Sequence, residues 1–212
     1  MAKKLSLRKL KPNQNEEKNL QSKGFRFIAG LDEVGRGSLA GPLVAAAWVF
    51  EIKKKIYRVR DSKALSAKMR RKLSGKIKRH ALSWSIGAAE VEEIEKFGIQ
   101  KATYLAFGRA LKSLKKKCDF VLVDGFRFRG CRLPQKHIIK GDAKCFSIAC
   151  ASILAKVYRD SLMRKLAKKY PGYYLHQNKG YGTLRHLKAL KKHGPCEIHR
   201  RNFRPVNKFL NF

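Results

Sequence analysis

Negative charge is what this chain has least of: 15 Asp and Glu stand against 50 Lys and Arg in 212 residues, for a formal charge of +35. That imbalance exceeds what solubility requires and implies a polyanionic partner. Paired cysteines are also missing. The five present, Cys118, Cys131, Cys145, Cys150 and Cys196, are odd in number and form no Cys-x-x-Cys pair. None stands at zinc-finger spacing from histidines, which argues against a disulfide framework or a structural zinc and for reduced thiols. No run of about 18 apolar residues is available to span a bilayer. The basic N-terminus carries no apolar signal segment, so neither secretion nor membrane insertion is expected, and a reducing cytoplasmic compartment is. Internal repeats and low-complexity segments are absent as well.

What is present is the material of a fold. Hydrophobic residues make up 44% of the chain, which separates it from a disordered basic tail. Its length suits one main domain. Residues 1–24 read as a basic leader with at most a short helix over Glu16–Ser22, residues 25–170 as the core, and residues 171–212 as a helical, basic extension. Within the core, Phe25–Leu31 and Leu43–Phe50 predict a strand hairpin, residues 66–80 a helix and Ser83–Val91 a third strand. Gln100–Leu114 predicts a helix, Phe120–Val123 and His137–Ile139 two short central strands, and Ala143–Leu166 the longest helix. A further helix is expected over Thr183–His193 after Pro171-Gly172. Strands separated by helices pair in parallel, so the expected architecture is α/β: a mixed five-stranded sheet, three antiparallel strands followed by two parallel ones, with helices on both faces.

Because acids are scarce, their placement carries weight. Asp32, Asp124 and Asp142 each close an apolar strand-like run, and Glu33 follows Asp32 directly. Strand ends are where α/β sheets bind ligands. Hard oxygen donors suit magnesium, which keeps several waters and takes few carboxylates. Four acids suit two such ions, roughly 4 Å apart, activating a water and neutralising the leaving oxygen of a scissile phosphate. A strand-end Asp before Gly is also ordinary turn chemistry, and Asp142 also suits the cap of the helix from Ala143. Spacing alone leaves both readings open.

The run Gly30-Leu31-Asp32-Glu33-Val34-Gly35-Arg36-Gly37-Ser38-Leu39-Ala40-Gly41-Pro42 resembles the opening signature of the ribonuclease HII (type 2 ribonuclease H) family. The resemblance continues through Asp61-Ser62-Lys63, Val123-Asp124-Gly125, Lys140-Gly141-Asp142-Ala143 and Ser152-Ile153-Leu154-Ala155-Lys156-Val157. It ends with Lys179-Gly180-Tyr181-Gly182-Thr183 and His199-Arg200-Arg201-Asn202-Phe203, in the family's order over about residues 25 to 206. Ser38 stands where the family commonly has Pro, and Cys150 where it commonly has Ala. Arg36, where the sister type ribonuclease HIII typically has Lys, and the short stretch before the first strand favour type HII.

The resemblance implies a ribonuclease H-like fold, with Asp32, Glu33, Asp124 and Asp142 as catalytic ligands of two Mg²⁺ or Mn²⁺ ions. It implies endonucleolytic cutting of RNA in RNA/DNA hybrids and 5′ of single ribonucleotides embedded in duplex DNA, leaving 3′-hydroxyl and 5′-phosphate ends. Ribonucleotide removal in DNA repair is the implied role, with a monomer as the expected form. The Gly35-Arg36-Gly37 turn and Tyr181 are the implied readers of the ribonucleotide. Physically, the two glycines permit close approach to a sugar, and the Tyr181 ring can stack while its hydroxyl meets a 2′-hydroxyl. Ser62, Lys63, Ser152 and Lys156 match positions near the phosphate path.

Arg200, Arg201, Arg204 and the lysine-rich segments at 52–55, 112–117 and 188–192 are expected to add affinity by counterion release, without sequence preference. His176, His186, His193 and His199 crowd the last forty residues but lack metal-ligand spacing, and read as solvated or structural. The terminal Phe209-Leu210-Asn211-Phe212 has some likeness to a sliding-clamp peptide but lacks its usual Gln and ends early, so clamp binding is not the expectation. Two other classes compete: a non-catalytic hybrid- or RNA-binding protein, and another nuclease of the same fold. The intact acids argue against the first, and the glycine-arginine-glycine turn with Tyr181 against the second.

Overall fold

The computed structural model describes residues 11–52, 56, 59, 62 and 65–210. Its centre is a five-stranded sheet of β1 (Ile28–Val34), β2 (Leu43–Phe50), β3 (Ala81–Ala89), β4 (Phe120–Asp124) and β5 (Gln135–Ile138). The spatial order is β3-β2-β1-β4-β5. The first three strands pair antiparallel and the last two join in parallel, as expected. β1 starts and ends later than the apolar run suggested. Pairing with β2 continues through Asp32↔Ala46 and Glu33↔Ala45 to Val34↔Val44, so the acidic pair lies inside the strand rather than closing it.

Helices cover both faces. On one, α2 (Ala67–Arg79) and α5 (Phe146–Lys169) bury Trp48, Phe50, Ile77, Phe146 and Ile148. The Trp48 indole N–H donates to the Ile77 carbonyl at 3.0 Å, so the ring's polar atom is satisfied in the core. On the other face, α3 (Val91–Lys112) packs Phe107 and Ala106 against Leu31, Val121 and Val123. Helix α3 begins nine residues before the expected Gln100. A capping box of Glu90 and Glu93 starts it there, and Gly98, at φ 76°, kinks it where the apolar periodicity had suggested a beginning. The absence of a side chain at Gly30 brings α5 onto the sheet: a Cβ there would lie 2.2 Å from the Ser147 carbonyl carbon.

The expected helix over Ala143–Leu166 is two helices, α4 (Gly141–Lys144) and α5, divided by Cys145 in an extended conformation at φ −108° and ψ 130°. The cause lies in the N-terminal segment. Helix α1 (Asn15–Ser22) buries Glu17 completely, and its Oε1 accepts from the Ser147 N–H at 2.8 Å and from the Cys145 thiol at 3.1 Å. A carboxylate borrowed from α1 thus caps α5, and Leu20 joins the main core beside it.

After α5 come α6 (Leu175–Asn178), α7 (Leu184–His193) and a 3-10 turn over Val206–Phe209. Thr183 caps α7 by accepting from the His186 N–H. These elements build a third apolar cluster from Leu39, Met163, Tyr173, Leu175, Leu190 and Val206. His186 and His199 are buried at its edge with their Nε2 atoms 3.1 Å apart, while His176 and His193 are exposed. Burial, then the neighbouring His186, pulls His199 down to about 4, and burial lowers His186. Tyr173 and Cys196 are the other titratable groups against the pair. An unfolded chain protonates His199 near the ordinary value of about 6.5, whereas the folded chain holds it neutral. Its contribution is therefore complete above about pH 6.5 and declines by roughly 3 kcal/mol as pH falls to about 4. Urea midpoints measured from pH 7.5 to 4 should fall across that window, and His199→Gln should flatten the decline.

Candidate active site

Eleven of the twelve residues singled out in the sequence line one cleft of about 430 Å³ at the end of β1 and β4: Asp32, Glu33, Gly35, Arg36, Gly37, Ser62, Asp124, Asp142, Ser152, Lys156 and Tyr181. Lys63 lies outside the described residues, as do residues 53–55 of one lysine-rich segment and the last two positions of the clamp-like terminus.

Sheet register sets the carboxylates. β1 and β4 run parallel with Leu31 beside Val123, so Asp32 and Asp124, one residue further along each strand, emerge at the same level. The Asp124 Oδ1 accepts the Gly141 N–H at 2.6 Å, which ties the first turn of α4, and with it Asp142, to the end of β4. Asp142 stands in that turn, nine per cent exposed. Burial raises the Asp32 carboxyl well above the ordinary carboxylate range, and the charges of Glu33, Asp124 and Asp142 raise it further. A hydrogen bond from Ser152 opposes them. Among the described residues no group of three or more His, Cys, Asp or Glu side chains forms a ready-made ion cage.

Around this acidic floor the cations are held in defined positions. The Arg36 guanidinium donates to the Gln100 side chain at 2.9 Å, lies 3.8 Å from Glu33 and sits 4.7 Å over the Phe126 ring. Lys156 donates to Asp160 at 2.7 Å, one helical turn further along α5, and Arg70 reaches the same carboxylate at 3.6 Å. Ser152 and Ser62 share a hydrogen bond of 3.0 Å, so the two hydroxyls support one another beside Asp32.

The Gly35 to Gly41 loop is fastened from beneath by two buried arginines. Arg159 donates to the carbonyls of Pro42, Lys179 and Ala40 at 2.9, 2.8 and 3.1 Å. Arg200 donates to Gly35 and Arg36 at 2.7 and 3.0 Å, and twice to Gly41. Gly35 has φ 97°, and a Cβ there would come within 2.3 Å of the Arg159 Nε, so both conformation and space demand glycine. Arg200 is fully buried, which corrects its expected role in counterion release: its charge is directed at backbone carbonyls, while Arg201 and Arg204 remain exposed.

Comparison with known proteins assigns this chain to a family. The model described as Ribonuclease HII matches residues 29–206. The ribonuclease HII of Caldicellulosiruptor bescii is 48% identical over 187 residues, covering 88% of this chain and 91% of that protein. That of Dehalococcoides mccartyi is 48% identical over 203 residues, 94% of this chain and 96% of its own length. The chain belongs to the ribonuclease HII family. It also superposes on the crystal structure of the ribonuclease H2 from Pyrococcus horikoshii OT3 with a TM-score of 0.72 and 28% identity, covering 86% of this chain and 96% of that one.

As a member of the ribonuclease HII family, the protein is a metal-dependent endoribonuclease that acts on the RNA strand of RNA/DNA hybrids. The donor set fits such chemistry: hard carboxylate oxygens line the cleft, and among the described residues no Cys or His does. Several residues that touch the cleft's lining from outside escaped sequence reasoning. Asp160 carried a usable signal, four residues beyond Lys156 on a helix. Gln100, Phe126 and Arg159 carried none, because each acts through contacts with residues distant in the chain.

Proposed function

We propose that this cleft cuts duplexes on the 5′ side of a ribonucleotide, including a single one embedded in DNA, with two divalent ions, magnesium or manganese, held by Asp32, Glu33, Asp124 and Asp142. The observation that supports this most is the convergence of those carboxylates with the Gly35-Arg36-Gly37 turn and Tyr181 on one cleft. Bound ions supply a lowered pKa for the attacking water and neutralise charge on the leaving 3′ oxygen.

The chain's own groups do the remaining work. Asp32 and Asp124 present their carboxylates at one level of a rigid sheet, so the acids are oriented before substrate arrives. Gly35 and Gly37 let the backbone approach a sugar, where its N–H and carbonyl groups can read a 2′-hydroxyl as both donor and acceptor. Arg36, steered by Gln100 and Phe126, reaches the adjoining phosphate, and Lys156 offers a second cation along the backbone. Tyr181 stacks on the sugar beyond the cut. The products carry 3′-hydroxyl and 5′-phosphate ends, and the cellular role is removal of ribonucleotides from DNA.

The test uses three duplexes with Mg²⁺ or Mn²⁺: DNA containing one ribonucleotide, an RNA/DNA hybrid and an all-DNA control. Cleavage of the first two and survival of the third is the expected result. Cutting of the all-DNA duplex, or failure on the single ribonucleotide, would overturn the proposal.

A further inference from the structure

The histidines of the C-terminal extension are not absorbed by the chemistry above, yet two of them lead directly to Tyr181. The Tyr181 carbonyl accepts from the Thr183 N–H at 2.8 Å and lies 3.0 Å from the His186 Nδ1. A carbonyl only accepts, so His186 carries its proton on Nδ1. In a neutral ring its Nε2 is then an acceptor, and the atom facing it at 3.1 Å, the His199 Nε2, must donate. The His199 Nδ1 is left as an acceptor, and it receives the Cys196 N–H at 3.1 Å with the Cys196 thiol at 3.2 Å. Every polar atom of both rings has a partner, and only one arrangement of protons satisfies all of them.

The same chain of contacts reaches the ribose-reading turn. Ser38 bridges to Tyr181 and Ala40 to His199, so the segment after the turn is sandwiched between the two. The Leu39 N–H donates to Gly180 at 2.7 Å, and the Arg200 N–H donates to Leu39 at 2.8 Å. Tyr173 closes the far side of the pair, its ring centroid 4.7 Å from that of His199.

We propose that His186 and His199 are positioning residues that hold Tyr181 against the ribonucleotide, with His186 acting through the Tyr181 carbonyl and His199 by fixing the His186 tautomer. This rests on the reading of Tyr181 given above. Neither histidine lines the cleft, and of the residues they contact directly Tyr181, held by His186, is the one that does.

A double-mutant cycle tests the assignment. On duplex DNA with one ribonucleotide, His186→Ala lowers kcat/KM by about tenfold, the scale of one lost hydrogen bond. His186→Asn, whose amide can replace the Nδ1 donor, returns it to within about threefold of the parent at matched thermal stability. In a Tyr181→Ala background, His186→Ala causes no further loss. An equal loss in that background, an Asn variant as impaired as the Ala variant, or an Ala variant indistinguishable from the parent overturns the positioning role while the Tyr181 reading stands. If Tyr181→Ala alone leaves cleavage of the single-ribonucleotide duplex unchanged, the Tyr181 reading fails, and the positioning role falls with it.

Discussion

Asp124→Asn should lower cleavage of an RNA/DNA hybrid by about a thousandfold, the effect of losing several kcal/mol of transition-state charge stabilisation. Affinity for the duplex should change little. The substitution is conservative in shape: an Asn Oδ1 can still accept the Gly141 N–H that Asp124 accepts at 2.6 Å, so α4 and Asp142 stay in register with β4. What disappears is one negative charge among four. The Asp32 carboxyl, raised by burial, by Glu33 and then by Asp124, is relieved of one neighbour. The folded variant should therefore be as stable as the parent, or more stable by up to about 1 kcal/mol. Single-turnover cleavage, a filter-binding isotherm and a thermal melt separate the three quantities. Cleavage that persists at the parental rate would remove Asp124 from the metal ligands.

The second large effect belongs to a residue outside the chemistry. Arg200→Ala should destabilise the fold by about 3–5 kcal/mol, because the carbonyls of Gly35, Arg36 and Gly41 lose their shared donor in a place water does not reach. For a chain of this size that is a fall in Tm of the order of 10 °C. Arg200→Lys should recover only part, since an ammonium group cannot reproduce the guanidinium fork across three carbonyls. Burial, with the neighbouring Arg159 charge added, lowers Arg200's affinity for its proton, and Tyr181 opposes them. A Tm unchanged in Arg200→Ala would show that the loop holds itself.

The contrast between these residues explains what could be read from the sequence. Acids are rare here, so Asp32, Asp124 and Asp142, each read as closing an apolar run, and Glu33 beside the first stood out in the sequence, and the structure brings all four to one cleft. The mixed five-stranded sheet, three antiparallel strands followed by two parallel ones, was legible because short apolar runs are set apart by turns and by longer helical stretches. Arg200 was misread because one arginine among 50 basic residues carries no mark of burial. Glu17 was hidden by its surroundings, a polar segment with no apolar period, although it divides α4 from α5 and caps the latter. The ends of β1 and α3 were displaced because a partner strand and a capping box set them, and neither is visible in the periodicity of the segment itself.

Strand β1 lies third of five, flanked by β2 and β4 and covered by helices on both faces. Amide protons in such a place exchange with solvent only when the whole molecule opens. The acidic pair is anchored at the cleft end of this central strand, still paired with β2, so melting of outlying elements should leave Asp32 and Glu33 where they are. Heat should disperse Asp32 and Glu33 only together with the central sheet, whereas Asp142, carried on α4, and Tyr181 can leave the cleft earlier.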